Sequence, residues 1–269
     1  MEQTPPQFFL LSGLGALGRS FLQLLGTLGS VTLFLGQSVL LVFRRRQFRS
    51  IVHQIYSIGA TSSGIVSLVA LFTGMVLGLQ LFYTLVKFGS TGVLGSAVGL
   101  TLVRELGPVL TAIMVTARAG SAMTTEIGIQ RISEQIDALH TMDVNPLQYL
   151  ISPRVAASVV SFPILTALFD LVGFFGGYLT GVVLMGLNPG TYFYRLQASV
   201  TYDDVSEGFI KAVVFGVIVS TICCYNGFYT HRRKDGYGAK AVGLSTTSAV
   251  VMSCVLILIS DYVVTSLLI

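Results

Sequence analysis

The sequence predicts an all-α integral membrane protein, and three observations point to that class. Of its 269 residues, 53% are hydrophobic and only 10% are charged, a balance outside that of soluble globular domains. Four polar breaks separate five apolar segments, each reaching the roughly 20 residues that a helix needs to cross the hydrocarbon core. Glycines recur four residues apart in several segments, and we expect them to pack helices closely within the chain rather than to form a dimer seam.

The N-terminal part differs from the five spans that follow it. Residues 8–43 are apolar, with only Arg19 charged, but six glycines interrupt them and four arginines at 44–49 close them. This pattern predicts an interfacial or re-entrant element within residues 1–52, and whether it spans the membrane or lies on it stays open. The spans expected in the bundle that follows, residues 61–268, are 61–86, 93–118, 154–186, 208–229 and 242–268.

The distribution of basic residues predicts the orientation of the spans. Eleven Lys and Arg residues fall in the 44–49 run, the 118–154 segment and the 231–240 loop, which the spans place on one side. Only Lys87, Arg195 and Lys211 fall on the other side. By the positive-inside rule the first side is cytoplasmic, so the N-terminal basic region faces the cytoplasm and the C-terminus faces outward.

A polar segment near 124–144 separates the second and third spans. We predict that it forms an amphipathic helix, because apolar residues recur there at spacings of three and four and would share one face. The charged residues Arg131, Glu134 and Asp137 would point elsewhere, and Asn145-Pro146 would end the helix. Periodicity alone leaves open whether this is a docking helix or an ordinary solvated one. The apolar residues are Ile129, Ile132, Ile136 and Leu139.

A few ionisable residues fall inside the predicted spans. Arg104 and Glu105 lie near the middle of the second span and Asp170 near the middle of the third. Charge at that depth is expensive, so such residues face the bundle interior or an aqueous cavity. Adjacent helical residues point about 100° apart, so we expect Arg104 to pair with Asp170 and Glu105 to face a cavity. A purely structural role for the set stays open, and Asp261 is interpreted as an interfacial residue.

Motifs for chemistry within this chain are missing from the sequence. The glycine-rich stretch Gly13–Ser20 resembles the pattern of a dinucleotide-binding or phosphate-binding loop. Such a loop needs a preceding strand in a soluble α/β domain, and the sequence predicts neither. The three cysteines fall inside predicted spans and are expected to be buried thiols, and no metal-ligand spacing is present. We therefore expect no catalytic residues, no metal and no ATP site in this chain, so energy must come from a partner.

Several segments together resemble the MlaE-type permeases, the membrane subunits of phospholipid-transporting ABC systems. The resemblance lies in Arg104–Ala112, Ala117–Ala122, Glu134–Leu139 and Asp143–Pro146, and it continues through Asp170–Gly173, Gly176–Tyr178 and Gly243–Val251. In that family the polar segment is a coupling helix that seats in a groove of a separate ATPase subunit. The residues that this role implies here are Arg131, Glu134, Gln135, Asp137 and Leu139.

The resemblance also implies an assembly in the inner membrane. Two copies of the chain would form a homodimer, with a pair of ABC ATPases that bind ATP and Mg, a STAS-like regulatory protein, and a hexameric periplasmic MCE-domain protein. Phospholipid would move through an outward-opening cavity, which would maintain the lipid asymmetry of the outer membrane. The alternative is a proton- or ion-coupled secondary transporter that uses Arg104, Glu105 and Asp170 as a relay. The residues expected to line the lipid cavity are Arg104, Glu105, Leu77, Leu81, Leu85 and Phe88.

Overall fold

Helices account for the secondary structure of the computed structural model, which describes residues 22, 25–26, 29–38, 40–41, 48–233 and 235–268. Within these residues no β-strand occurs, and five helical runs are long and apolar enough to span a membrane. The predicted all-α class and the five spans are thus confirmed. The glycine-rich stretch 13–20 and most of the expected interfacial element at 8–43 lie outside the described residues.

Each of the five long helical runs begins earlier than the sequence predicts. The first run, Phe48–Lys87, consists of α1 (Phe48–Ile58), a single 3₁₀ turn and α2 (Ser63–Lys87). The second run, α3 (Thr91–Ile132), contains two π-helical turns, Leu102–Leu106 and Thr116–Gly120. The remaining helices follow in the order α4 (Gln135–Thr141), α5 (Leu147–Leu184), α6 (Pro189–Ser199), α7 (Tyr202–Phe228) and α8 (Ala239–Leu268).

Two short helices mark the two ends of the bundle. At one end, which we call the α4 end, α4 connects α3 to α5, and the turn between α7 and α8 lies on the same side. At the opposite end, the α6 end, α6 connects α5 to α7. Asn188 caps α6 by accepting hydrogen bonds from Gly190 N and Thr191 N at 2.8 and 3.3 Å. The buried Tyr192 anchors α6, since its hydroxyl donates to Phe174 O at 3.0 Å.

Residues 29–38 are helical and attach to the α4 end of the bundle. Phe34 is buried there against the rings of Tyr225, Phe228 and Tyr229, with centroids 5.6–6.3 Å away. The Ser30 and Tyr225 hydroxyls are hydrogen-bonded at 2.7 Å. This part of the N-terminal element is therefore held by aromatic packing against α7.

Glycines bring α2 and α5 into backbone contact. A Cβ at Gly74 would overlap the carbonyl oxygen of Gly173, and one at Gly78 would lie 3.2 Å from the oxygen of Gly177. At the α6 end, a Cβ at Gly95 of α3 would overlap the oxygen of Tyr192. The expectation that these glycine ridges pack helices within the chain is confirmed. Cys223 and Cys224 are buried as expected, and Cys254 is half-buried.

The polar segment is not one amphipathic helix, contrary to the prediction. The α3 helix continues to Ile132, and the chain then turns at Glu134, which has a left-handed φ of 59°, before α4 begins. This break rotates the two halves, so Ile136 is fully buried while Ile129 remains 50% exposed. Asn145 does not end the helix either. The α4 helix already ends at Thr141, and the Asn145 side-chain oxygen accepts a hydrogen bond from Leu147 N at the start of α5.

Candidate functional site

A layer of charged side chains lies near the α6 end of the bundle, where Arg104 projects from the first π-helical turn of α3. The Nε of Arg104 donates to Asp204 Oδ1 at 2.6 Å. The second carboxylate oxygen of Asp204 accepts from both the backbone N–H and the hydroxyl of Thr201 at 2.7 Å, which completes the N-terminal cap of α7. The prediction that Arg104 pairs with Asp170 is therefore wrong. The α7 helix begins six residues earlier than the sequence predicts, and this earlier start brings Asp204 to Arg104.

Lys211 is the centre of the layer, with only 2% of its side chain exposed. Its Nζ donates to Arg104 O at 2.7 Å and lies 3.0 Å from Glu105 Oε1 and 3.4 Å from Asp261 Oδ1. The Arg104 carbonyl is available because Pro108, four residues later, has no N–H to donate to it. Asp261 therefore belongs to the charged layer and is not the interfacial residue that the sequence suggested.

Arg104 and Glu105 diverge from each other as expected for adjacent helical residues, and each finds its own partner. Their side chains remain 50% and 44% exposed, whereas Asp204 and Lys211 are 3% and 2% exposed. Two half-exposed charges within a membrane-spanning helix are costly in lipid. This face must therefore meet water, a polar ligand or another protein surface.

Asp170 packs against α3 without joining the charged layer. A Cβ at Gly107 would overlap its Oδ1, so glycine is required at that position for α3 and α5 to approach. The same oxygen is buried and has no hydrogen-bond partner among the described residues. Asp170 and Arg104 thus occupy different environments, which removes the geometric basis of the three-residue relay.

The apolar residues proposed for the lipid cavity lie along α2 and just beyond its end. Leu77, Leu81 and Leu85 are half-buried and pack against the main hydrophobic core. Phe88 is 76% exposed at the C-terminal end of the helix. Their assignment as acyl-chain contacts stays a prediction.

The α4 end carries the residues predicted to couple to an ATPase. Arg131 Nη1 pairs with Asp137 Oδ1 at 2.8 Å, and Arg131 Nε donates to His231 Nδ1 at 2.9 Å. Arg131 and Asp137 therefore fasten α4 to the end of α3 and to the α7–α8 turn. Glu134 and Gln135 are exposed, and Leu139 is half-buried.

His231 was not anticipated from the sequence, because a hundred residues separate it from Arg131. Partial burial, reinforced by the positive charges of Arg131 and Arg232, holds the pKa of His231 below its usual value. The neutral imidazole is the form that can accept the Arg131 hydrogen bond. The three-residue link therefore suits neutral pH.

Comparisons with known proteins identify the family of this chain. The family model described as Permease MlaE matches residues 51–267. The chain belongs to the MlaE permease family. A Haemophilus influenzae relative, the intermembrane phospholipid transport system permease protein MlaE, is 40% identical over 225 residues, which are 83% of this chain and 84% of the relative.

Other relatives of this MlaE family member extend the match. A probable ABC transporter permease protein of Rickettsia felis is 39% identical over 259 residues, which are 96% of this chain and 98% of the relative. The chloroplastic protein TRIGALACTOSYLDIACYLGLYCEROL 1 of Arabidopsis thaliana is 36% identical over 88% of this chain and 67% of its own length. The MlaE match includes both the charged layer and α4, so both belong to the permease domain itself.

Proposed function

We propose that this protein is the transmembrane subunit of an ABC transporter that moves phospholipid between the inner membrane and a periplasmic MCE-domain protein. Two copies would form the pathway, with a pair of ATPase subunits and a STAS-like regulator below them. This chain would bind no cofactor, and the ATPase pair would bind ATP and Mg. Membership of the MlaE permease family and the phospholipid transport named for the Haemophilus relative support the proposal.

The observation that carries the proposal is the half-exposed pair Arg104 and Glu105 on a membrane-spanning helix. A guanidinium and a carboxylate fixed by buried counter-ions form a preorganised polar surface, which suits the phosphate and polar groups of a lipid headgroup. The surrounding apolar helix surface suits acyl chains. A pathway between two copies of the chain would cover these charges and give them a polar partner.

The distribution of basic residues along the bundle supports the orientation that we propose. We place the α4 end in the cytoplasm, because Arg131, Arg154 and the basic 231–240 loop lie there. The charged layer then lies toward the periplasm, and the C-terminus is periplasmic. A displacement of α4 would be transmitted along α3, because Arg131 ties α4 to the same helix that carries Arg104 and Glu105.

The orientation predicts which positions a membrane-impermeant thiol reagent reaches. In a background without Cys223, Cys224 and Cys254, a cysteine at the exposed Gln135 or Tyr237 should react only after the cytoplasmic side is opened. A cysteine at Tyr202, which is 85% exposed at the α6 end, should react in intact cells. Labelling of Gln135→Cys from outside would contradict the proposed orientation, and with it the proposed coupling role of α4.

The transport function is tested at Glu105. In the reconstituted complex, Glu105→Lys should lower phospholipid transfer about tenfold or more, because a second ammonium would stand beside Lys211 and repel it. Glu105→Gln, which keeps the size of the side chain, should retain most of the transfer. Both variants should keep their ATPase partner.

The readouts for this test are phospholipid transfer between donor and acceptor proteins and thermal unfolding of the same preparations. Normal transfer by Glu105→Lys would contradict a pathway at the charged layer. A loss of transfer that only accompanies unfolding would assign the layer to folding alone.

A further inference from the structure

A second polar site lies at the α4 end of the bundle, far along α3 from the charged layer. Three helices line an open cavity of about 490 Å³ there, within the size range of small-molecule sites. Its polar and aromatic lining comes from α1, α3 and α5. The lining includes Arg49, Ser50, His53, Gln130, Tyr149 and Arg154.

Arg154 is the side chain that defines this cavity. It is 4% exposed, and its Nη2 pairs with Glu126 Oε2 at 2.8 Å. Its Nε and Nη1 are buried without a hydrogen-bond partner among the described residues. A buried guanidinium that leaves two nitrogens unpaired is costly, and an oxyanion in the adjoining cavity would remove that cost.

The other polar groups of the cavity favour the same chemistry. Arg49 and His53 lie four residues apart on α1, and no carboxylate is found among the described lining residues. The side-chain oxygen of Gln130 is also buried and unpaired among the described residues, so it can accept a hydrogen bond from the ligand. The cavity therefore suits a phosphate group that carries a hydroxyl or ammonium donor.

The surface of α1 indicates where such a ligand comes from. Phe48, Val52 and Tyr56 recur every four residues along α1, and they are 80%, 48% and 64% exposed. On a helix at the end of a membrane bundle, such a stripe contacts the headgroup and acyl boundary. This exposed apolar stripe lies on the same short helix as the cavity residues Arg49 and His53, so a lipid of the adjoining leaflet that packs on the stripe would have its phosphate beside the cavity.

We propose that this cavity binds the headgroup of an anionic phospholipid of the adjacent leaflet, with Arg154 as its buried anchor and Arg49 and His53 as its rim. The site is separate from the charged layer near the α6 end. It depends only on the chain being a membrane protein, and not on the proposed transport.

The test compares lipids by thermal unfolding of the purified, detergent-solubilised protein. A ligand that binds only the folded state raises the unfolding midpoint according to its concentration and dissociation constant. Phosphatidylglycerol should raise the midpoint more than phosphatidylcholine with the same acyl chains. Inorganic phosphate, added at the same concentration, should give no shift.

Variants assign the effect to the cavity. The double variant Arg49→Gln/His53→Gln should bind phosphatidylglycerol about tenfold or more weakly, since it loses charge-assisted contacts at the rim without touching the pair that the buried Arg154 forms with Glu126. Arg154→Lys, which keeps a cation for Glu126, should show the same loss. Arg195→Gln, an exposed change at the α6 end, should bind like the unchanged protein.

Three outcomes would overturn the proposal. They are an equal response to the two lipids, a rim variant that binds phosphatidylglycerol normally, and a full shift produced by inorganic phosphate, which would make the site one for free phosphate. Phospholipid transfer is not measured in this test. A failure here therefore leaves the proposed transport untouched, and a failure of transport leaves this site untouched.

Discussion

Replacing Lys211 with methionine is expected to lower the free energy of unfolding by about 3–5 kcal/mol, because breaking a buried ion pair strands the remaining charges. The Lys211 ammonium lies between Glu105 and Asp261 and also satisfies the Arg104 carbonyl. Without it, two carboxylates face each other within the bundle. Methionine fills much of the same volume, so the loss reports on charge and hydrogen bonding rather than on a cavity.

The measurement is thermal or denaturant unfolding of the purified protein, with two comparison variants. Lys87→Met removes an exposed lysine at the end of α2 and should change stability by less than about 0.5 kcal/mol. Adding Glu105→Gln and Asp261→Asn to Lys211→Met should recover part of the loss, since the stranded carboxylates are then neutral. Equal stability of Lys211→Met and Lys87→Met would show that the layer does not depend on this lysine.

The sequence was sufficient for the spans but not for the charged layer. Five spans follow from hydropathy because each must reach the same length in lipid. A span that begins at 208, as hydropathy predicts, places Lys211 at its edge and leaves Asp204 in the preceding loop. The structure begins α7 at Tyr202 and buries both residues. Thr201 gives the local signal for that start, because it forms a capping box with Asp204.

The charged residues of the spans illustrate a second limit of sequence reasoning. The depth of a residue in the membrane can be estimated from the sequence. The rotation of its helix and the residue with which its side chain pairs cannot. Arg104 and Asp170 fall at similar predicted depths, yet the structure turns Arg104 toward Asp204 and places Asp170 against Gly107. The small residue at 107 indicates a close approach of helices, although nothing in the sequence says which side chain makes it.

The prediction of a single helix in the polar segment was wrong for a different reason. Apolar residues spaced three and four apart predict one continuous helix, but a single left-handed residue, Glu134, resets the phase between α3 and α4. Ile136 gains full burial against the core formed with Ile127 and Ile151. Burial of that side chain offsets the cost of a positive φ in a residue other than glycine.

The break in the polar segment gives Glu134 and Asp137 different surroundings, although a single helix would have placed both on its polar face. Glu134 is exposed at the turn and forms no ion pair among the described residues, whereas Asp137 is paired with Arg131. If the turn contacts an ATPase, charge reversal at Glu134 should act on the partner, and the loss of Asp137 should act first on α4 itself.

We therefore expect Glu134→Lys to release the ATPase from the purified complex while the permease unfolds at its usual temperature, because a reversed charge in a desolvated contact can cost several kcal/mol. Asp137→Asn should weaken the attachment of α4 and increase hydrogen exchange at residues 135–141, because Arg131 loses its carboxylate partner. Asp203→Lys, a charge reversal at the opposite end of the bundle, is the matched control and should leave the complex intact. Co-purification of the ATPase with Glu134→Lys at the normal ratio and with normal ATP turnover would make the turn a solvated connection, and the coupling contact would then have to be sought elsewhere on the α4 end.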